Sequence, residues 1–195
     1  GSSGFSCAPI GDADGDGLAD LLIGDQDSRS VTIFHGDGTT SSASSIDTDY
    51  ERHTQWEPAG DLDGDGLQDV ITRESVGHSD FYTNRVFIRY GANDWSRSSS
   101  DDFDFSSSYE VATGDRMVGA GDMDADGYDD IFYADEPDSP IDEKTEDYYV
   151  LTGGASTLAV GASWSGRTNW GSKRLAGGGD FDGDGIPDVA YGEQT

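Results

Sequence analysis

The chain has a single cysteine, Cys7, which excludes an internal disulfide and any Cys-based zinc site. Stability must come from packing, strand pairing or another metal. Bases are scarce too: eleven against 40 acids, with only Lys144 and Lys173 as lysines, for a net charge of −29. Such a surface repels phosphate backbones and anionic lipid, so no nucleic-acid partner is expected. No apolar run approaches the roughly 18 residues of a membrane span, and neither a signal peptide nor membrane insertion is read from the sequence. Capped amphipathic helical patterns of useful length are missing as well. Histidines number three, His35, His53 and His78, and none is spaced from another as a metal pair. Each reads as a surface or strand-edge residue. With no G-x-S-x-G and no Gly-rich phosphate loop, catalysis has no positive signal, and the expectation is a protein that is not an enzyme. Paired carboxylates for glycoside chemistry stay open in so acidic a chain.

What the sequence does have is a repeat. GDADGDGLADLLIGD (11–25) returns as GDLDGDGLQDVITRE (60–74), GDMDADGYDDIFYAD (121–135) and GDFDGDGIPDVAYGE (179–193). One such stretch could be a solvated Asp-Gly turn; four at spacings of 49, 61 and 58 residues mark a structural repeat. The 195 residues suit one domain, and 11% aromatic content with local patterning argues for a folded chain despite 33% hydrophobic residues. Gly1 to Gly4 read as a cloning scar. The repeats divide the remainder at about 5–50, 51–111, 112–170 and 171–195.

Within each loop the spacing is D-x-D-x-D-G-x-x-D. The aspartates are Asp12, Asp14, Asp16 and Asp20; Asp61, Asp63, Asp65 and Asp69; Asp122, Asp124, Asp126 and Asp130; and Asp180, Asp182, Asp184 and Asp188. Alternate carboxylates on a tightly wound loop converge, the sixth-position glycine permits the turn, and the seventh-position carbonyls of Leu18, Leu67, Tyr128 and Ile186 can add an oxygen. This is a hard oxygen cage suited to calcium, about four ions per chain, since magnesium demands a stricter octahedron. Four divalent ions would bring −29 only to −21, so the chain stays acidic. An EF-hand or dockerin loop opens with the same spacing, but it needs Glu at position twelve and flanking helices. Here position twelve is Ile23, Thr72, Tyr133 or Tyr191, within strand-like runs.

Flanking columns alternate as strands do. Apolar Cys7, Trp56, Met117 and Leu175 stand five residues before the first aspartate, and a glycine always directly precedes it. Third strands are expected over 30–35, 85–90 and 148–152, each closing on glycine (Gly36, Gly91, Gly153), and fourth strands over 44–50, 103–111 and 159–165. Ser75 to Asn84 and Glu136 to Asp147 read as polar insertions. Four strands per repeat predict an all-β chain of four-stranded antiparallel β-propeller blades, about three and a half to four of them, with calcium-binding hairpin loops. The last repeat stops after two strands. Either Leu175, Val189 and Tyr191 face an open edge that a longer propeller or a second chain completes, or a compact four-bladed ring has a stunted last blade. Trp56 is assigned to the core by its column; Trp95, Trp164 and Trp170 suit packing somewhat better than recognition.

The run of apolar strand, GDxDGDGxxDLLIG and strand-Gly resembles the FG-GAP repeat of integrin alpha-chain β-propellers and of many secreted bacterial proteins, over nearly the whole chain after Gly4. The resemblance implies calcium in the loop between the first two strands of each blade, on the sixteen aspartates above. It departs where the family has Phe-Gly and Gly-Ala-Pro, so no integrin-type ligand site carries over. The expected function is a secreted or cell-surface binding or adhesion module for a protein or glycan ligand. A polysaccharide-degrading enzyme on the same fold and a structural spacer are the alternatives.

Overall fold

The structure, a computed structural model, describes residues 5–25, 30–37, 43–47, 52–78, 81–91, 103–104, 116–135, 145–155, 158–167 and 174–192. Among them every regular element is a strand: β1 (Phe5–Ile10), β2 (Asp20–Asp25), β3 (Ser30–Phe34), β4 (Ala43–Asp47), β5 (Arg52–Gly60), β6 (Asp69–His78), β7 (Phe81–Arg89), β8 (Phe103–Asp104), β9 (Arg116–Gly121), β10 (Asp130–Asp135), β11 (Thr145–Thr152), β12 (Ala159–Arg167), β13 (Arg174–Gly179) and β14 (Asp188–Gly192). They form three four-stranded sheets, β1 to β4, β5 to β8 and β9 to β12, each in sequence order, and the pair β13-β14. All pairings are antiparallel. Consecutive strands that pair antiparallel need no crossover, which is why the order in space follows the order in sequence.

The chain divides into two compact units. One holds 1–61 and 65–111, the other 62–64 and 112–195. In the first unit β1 lies beside β5, so the opening strands of the two sheets are neighbours, and Ile10, Ala13, Leu22, Ile33 and Val70 bury together. In the second unit β9 lies beside β13, and Ala120, Phe132, Ala134, Tyr148 and Val150 make the core. Phe132 stacks on Tyr148 with centroids 6.0 Å apart, and Tyr148 meets Tyr191 at 5.1 Å. Such pairs add about 0.5–1.5 kcal/mol beyond their burial.

Two readings of the sequence need correction. Ser75 to His78 and Phe81 to Asn84 are strand, not loop: β6 and β7 stay paired from Val70↔Arg89 out to His78↔Phe81. A ladder is satisfied backbone to backbone, so polar side chains do not end it. In the second segment Thr145 to Asp147 are already strand, and 136–144 lie outside the described residues. Leu175 and Val189 are half-buried against the Phe132 cluster, while Tyr191 is 53% exposed even beside Tyr148, and among the described residues β13 and β14 pair only with each other. In the apolar column Cys7 is exposed. The assignments of the Trp56 and Trp164 side chains, and of Trp95 and Trp170 altogether, lie outside the described residues.

Candidate metal centre

Each acidic loop is wound by its own backbone. The fourth and sixth residues take left-handed φ: Gly15 and Gly17 (82° and 87°), Gly64 and Gly66 (76° and 90°), Ala125 and Gly127 (61° and 95°), Gly183 and Gly185 (82° and 91°). The sixth-position glycine is what the sequence led one to expect. The fourth-position requirement is visible in the Gly, Gly, Ala, Gly column but was not drawn from it. Ala125 adopts a conformation disfavoured by about 1–2 kcal/mol for a residue with a Cβ.

These turns aim amide N–H groups at the first carboxylate. Asp12 Oδ1 accepts from Gly15 N–H at 2.7 Å and Asp16 N–H at 3.0 Å, and its Oδ2 accepts from Gly17 N–H at 2.7 Å. Asp180 repeats the set with Gly183 at 2.7 Å, Asp184 at 3.1 Å and Gly185 at 2.9 Å. Asp61 accepts from Asp65 and Gly66 at 3.1 and 2.9 Å, and Asp122 from Asp126 and Gly127 at 3.0 Å each. Desolvation pushes the Asp12 carboxyl up, but the N–H groups of Gly17, Gly15, Asp16 and Asp14 together outweigh it and hold it below the usual aspartate range. The fifth-position aspartates accept from the seventh residue: Asp16 from Leu18 and Asp65 from Leu67 at 2.8 Å, Asp126 from Tyr128 at 3.0 Å, Asp184 from Ile186 at 2.8 Å.

The ninth-position aspartate does something the spacing did not reveal. Asp20, Asp69 and Asp130 are 3%, 0% and 0% exposed. Their Oδ1 atoms accept from the glycine that closes the third strand: Gly36 at 2.8 Å, Gly91 at 2.7 Å and Gly153 at 3.0 Å. The other oxygen accepts from the second loop residue: Ala13 to Asp20 and Met123 to Asp130 at 2.8 Å, and Phe181 to Asp188 at 2.7 Å. One carboxylate therefore fastens the loop's start to the end of the third strand. Burial pushes Asp130 above the ordinary range; the N–H groups of Gly153 and Met123 pull it back, and the carboxylates of Asp124 and Asp126 add to the rise.

Glycine columns have a steric reason as well. A Cβ on Gly36, Gly91 or Gly153 would come within 2.4, 2.8 or 2.3 Å of the carbonyl oxygen of the eighth loop residue, Ala19, Gln68 or Asp129. Gly121, at φ 74°, would drive a Cβ to 2.8 Å from the Pro187 ring.

The carboxylates come together as a ligand set. Asp12, Asp14 and Asp16 place oxygens within 4.8 Å of one another, as do Asp61, Asp63 and Asp69; Asp122, Asp124 and Asp130; and Asp180, Asp182 and Asp188. A fifth group joins Asp14 and Asp20 to His35. Positions one, three and nine thus converge in the last three loops, and positions one, three and five in the first. Leu18, Leu67, Tyr128 and Ile186 enter the wiring through their N–H groups, and the side chains of Leu18 and Ile186 are 47% and 42% exposed. The expectation of a surface or strand-edge histidine fails at His35. It directly follows β3, yet its side chain is 7% exposed and its Nδ1 lies 2.8 Å from Asp14 Oδ2. All donors in the four aspartate groups are hard oxygens, and backbone N–H groups hold the first-position carboxylate of every loop, which fits a calcium-type ion.

A search of curated protein sequences finds no match to the chain. In fold it is similar to the crystal structure of the rhamnogalacturonan lyase YesW, with a TM-score of 0.55 at 14% identity, over 98% of this chain and 42% of that one. The chain therefore spans less than half the length of that lyase. Residues 12–72, two acidic loops with the strands between them, match the family model described as FG-GAP-like repeat.

Proposed function

We propose that the chain is a calcium-stabilised β-propeller segment that serves as an extracellular binding module. In this reading the three sheets and the β13-β14 pair are blades, and each acidic loop holds one calcium ion. The carrying observation is that four loops share one wiring, in which backbone N–H groups hold the first carboxylate and alternate carboxylates converge. Asp12, Asp14 and Asp16 would hold the first ion with Asp20, and the corresponding residues of the other loops the rest. Calcium there supplies charge neutralisation and ties the two ends of the loop together. Affinities of extracellular calcium modules, roughly 10⁻⁴ to 10⁻³ M, suit a secreted or cell-surface setting and leave the loops unfilled at cytosolic levels. Melting the protein with and without chelator tests the structural role; an unchanged melting temperature counts against it.

The ligand of such a module would be a protein or a glycan. A second reading, a carbohydrate-active protein, draws support from the fold likeness to a rhamnogalacturonan lyase. Glycan-array binding together with an assay for unsaturated products from rhamnogalacturonan separates the two: binding without turnover supports the module, turnover supports the enzyme.

A further inference from the structure

His35 distinguishes the first loop from its counterparts. The residue before the glycine that closes the third strand is His35 in the first repeat, Tyr90 in the second and Thr152 in the third. Only in the first does this position carry a nitrogen ligand. Its side chain comes from the end of β3, outside the acidic loop, and is 7% exposed. Nδ1 stands 2.8 Å from Asp14 Oδ2 and 3.6 Å from Asp20 Oδ2. Ligand atoms about 2.1 Å from one metal ion are roughly 3.0–3.4 Å apart at octahedral to tetrahedral angles, so these separations bracket the edges of a coordination sphere. Asp14 Oδ1 is occupied by the Asp16 N–H at 3.1 Å, which turns Oδ2 toward the imidazole. Asp20 Oδ2 accepts one N–H, from Ala13, and keeps a second lone pair.

We propose that Asp14, Asp20 and His35 form a mixed nitrogen-oxygen site that takes a zinc-class divalent ion, in competition with calcium at the first loop alone. Imidazole suits zinc and its neighbours, whereas calcium takes oxygen ligands. Three protein ligands leave a fourth position for water or for an outside group. The two ions share Asp14 and Asp20, so one excludes the other. The inference depends on the calcium reading only for which ion is displaced, not for whether the zinc-class ion binds.

The test uses a Cys7→Ser background, which removes the exposed thiol as a competing zinc ligand. His35→Thr and His35→Tyr install the residues that the third and second repeats carry at the same place. Zinc is titrated calorimetrically into chelator-treated protein, and the imidazole nitrogen resonances are followed in parallel. The expected result is one zinc equivalent that shifts the His35 resonances. Both variants should weaken it at least about tenfold, since even outer partners of a metal ligand cost that much. Calcium uptake at the other three loops should stay as it was. His35 resonances unmoved by one zinc equivalent, or zinc affinity unchanged in both variants, overturns the proposal. The resonance readout on the His35 protein decides the matter even if neither variant folds. Zinc binding lost in the variants, with no calcium uptake in any protein, upholds this site while defeating the calcium reading.

Discussion

Asp130 Oδ1 accepts the N–H of Gly153, 23 residues away, at 3.0 Å, while its Oδ2 accepts the N–H of Met123 at 2.8 Å. The carboxylate is fully buried, between the start of its loop and the end of β11. It ties the loop to the sheet through two backbone N–H groups, which separates position nine from the exposed positions of the same loop.

Asp130→Asn is expected to destabilise the chelated protein by about 1–3 kcal/mol, because an amide NH₂ must face one of two buried N–H donors. Asp124→Asn, at an exposed position, should leave the chelated protein close to unchanged but remove much of the calcium-induced rise in melting temperature. Denaturant unfolding of both variants in chelator and in calcium measures the contrast. Equal effects in chelator would show that position nine acts only as an ion ligand.

Backbone conformation gives a second series. Gly183→Ala meets no atom within 4 Å and should cost only the left-handed penalty of about 1–2 kcal/mol. Gly121→Ala adds a collision with the Pro187 ring and should cost more. Ala125→Gly relieves the φ of 61° and should be neutral to stabilising by up to about 1 kcal/mol, the gain being reduced by the entropy of glycine in the unfolded chain. Equilibrium unfolding ranks the three; an Ala125→Gly protein less stable than the parent would refute the strain argument.

The two shifted aspartates predict opposite pH responses in chelated protein. Asp130 has a folded value above the ordinary 3.8, so the folded state holds more protons there, and stability falls as pH rises through the window just above 3.8. Asp12 lies below 3.8, so its contribution is present above that value and is lost as pH falls through the lower, folded one. Site-resolved carboxyl titration should find Asp130 titrating after Asp12 as pH rises. The reverse order contradicts the assignment of buried and N–H-bound roles.

Much of this was legible because the signals are local. Asp and Gly at fixed offsets gave the loops, and short apolar runs gave β2, β10 and β14 beside them. The strands closing on Gly36, Gly91 and Gly153 were readable too, but not the reason for those glycines. That reason is the close approach of the third strand's end to the carbonyl of the eighth loop residue, which leaves no room for a Cβ and is a relation that needs the sheet. His35 was misjudged on the same ground: nothing near it in sequence shows that β3 ends against Asp14 and Asp20. Ser75 to Asn84 failed differently, since polar composition was read as loop although strand pairing belongs to the backbone. The second loop position is apolar in all four repeats, yet it is buried only as Ala13 and Leu62, while Phe181 is 65% exposed, so the column alone does not predict its burial.

The central claim is that the acidic loops are calcium sites, and calorimetric titration of chelated protein tests it most directly. The account predicts uptake of four calcium ions per chain with dissociation constants of roughly 10⁻⁴ to 10⁻³ M. At tenfold saturation each ion adds about 1.4 kcal/mol of stability. Magnesium should bind more weakly. No calcium uptake, or magnesium bound equally well, would contradict it.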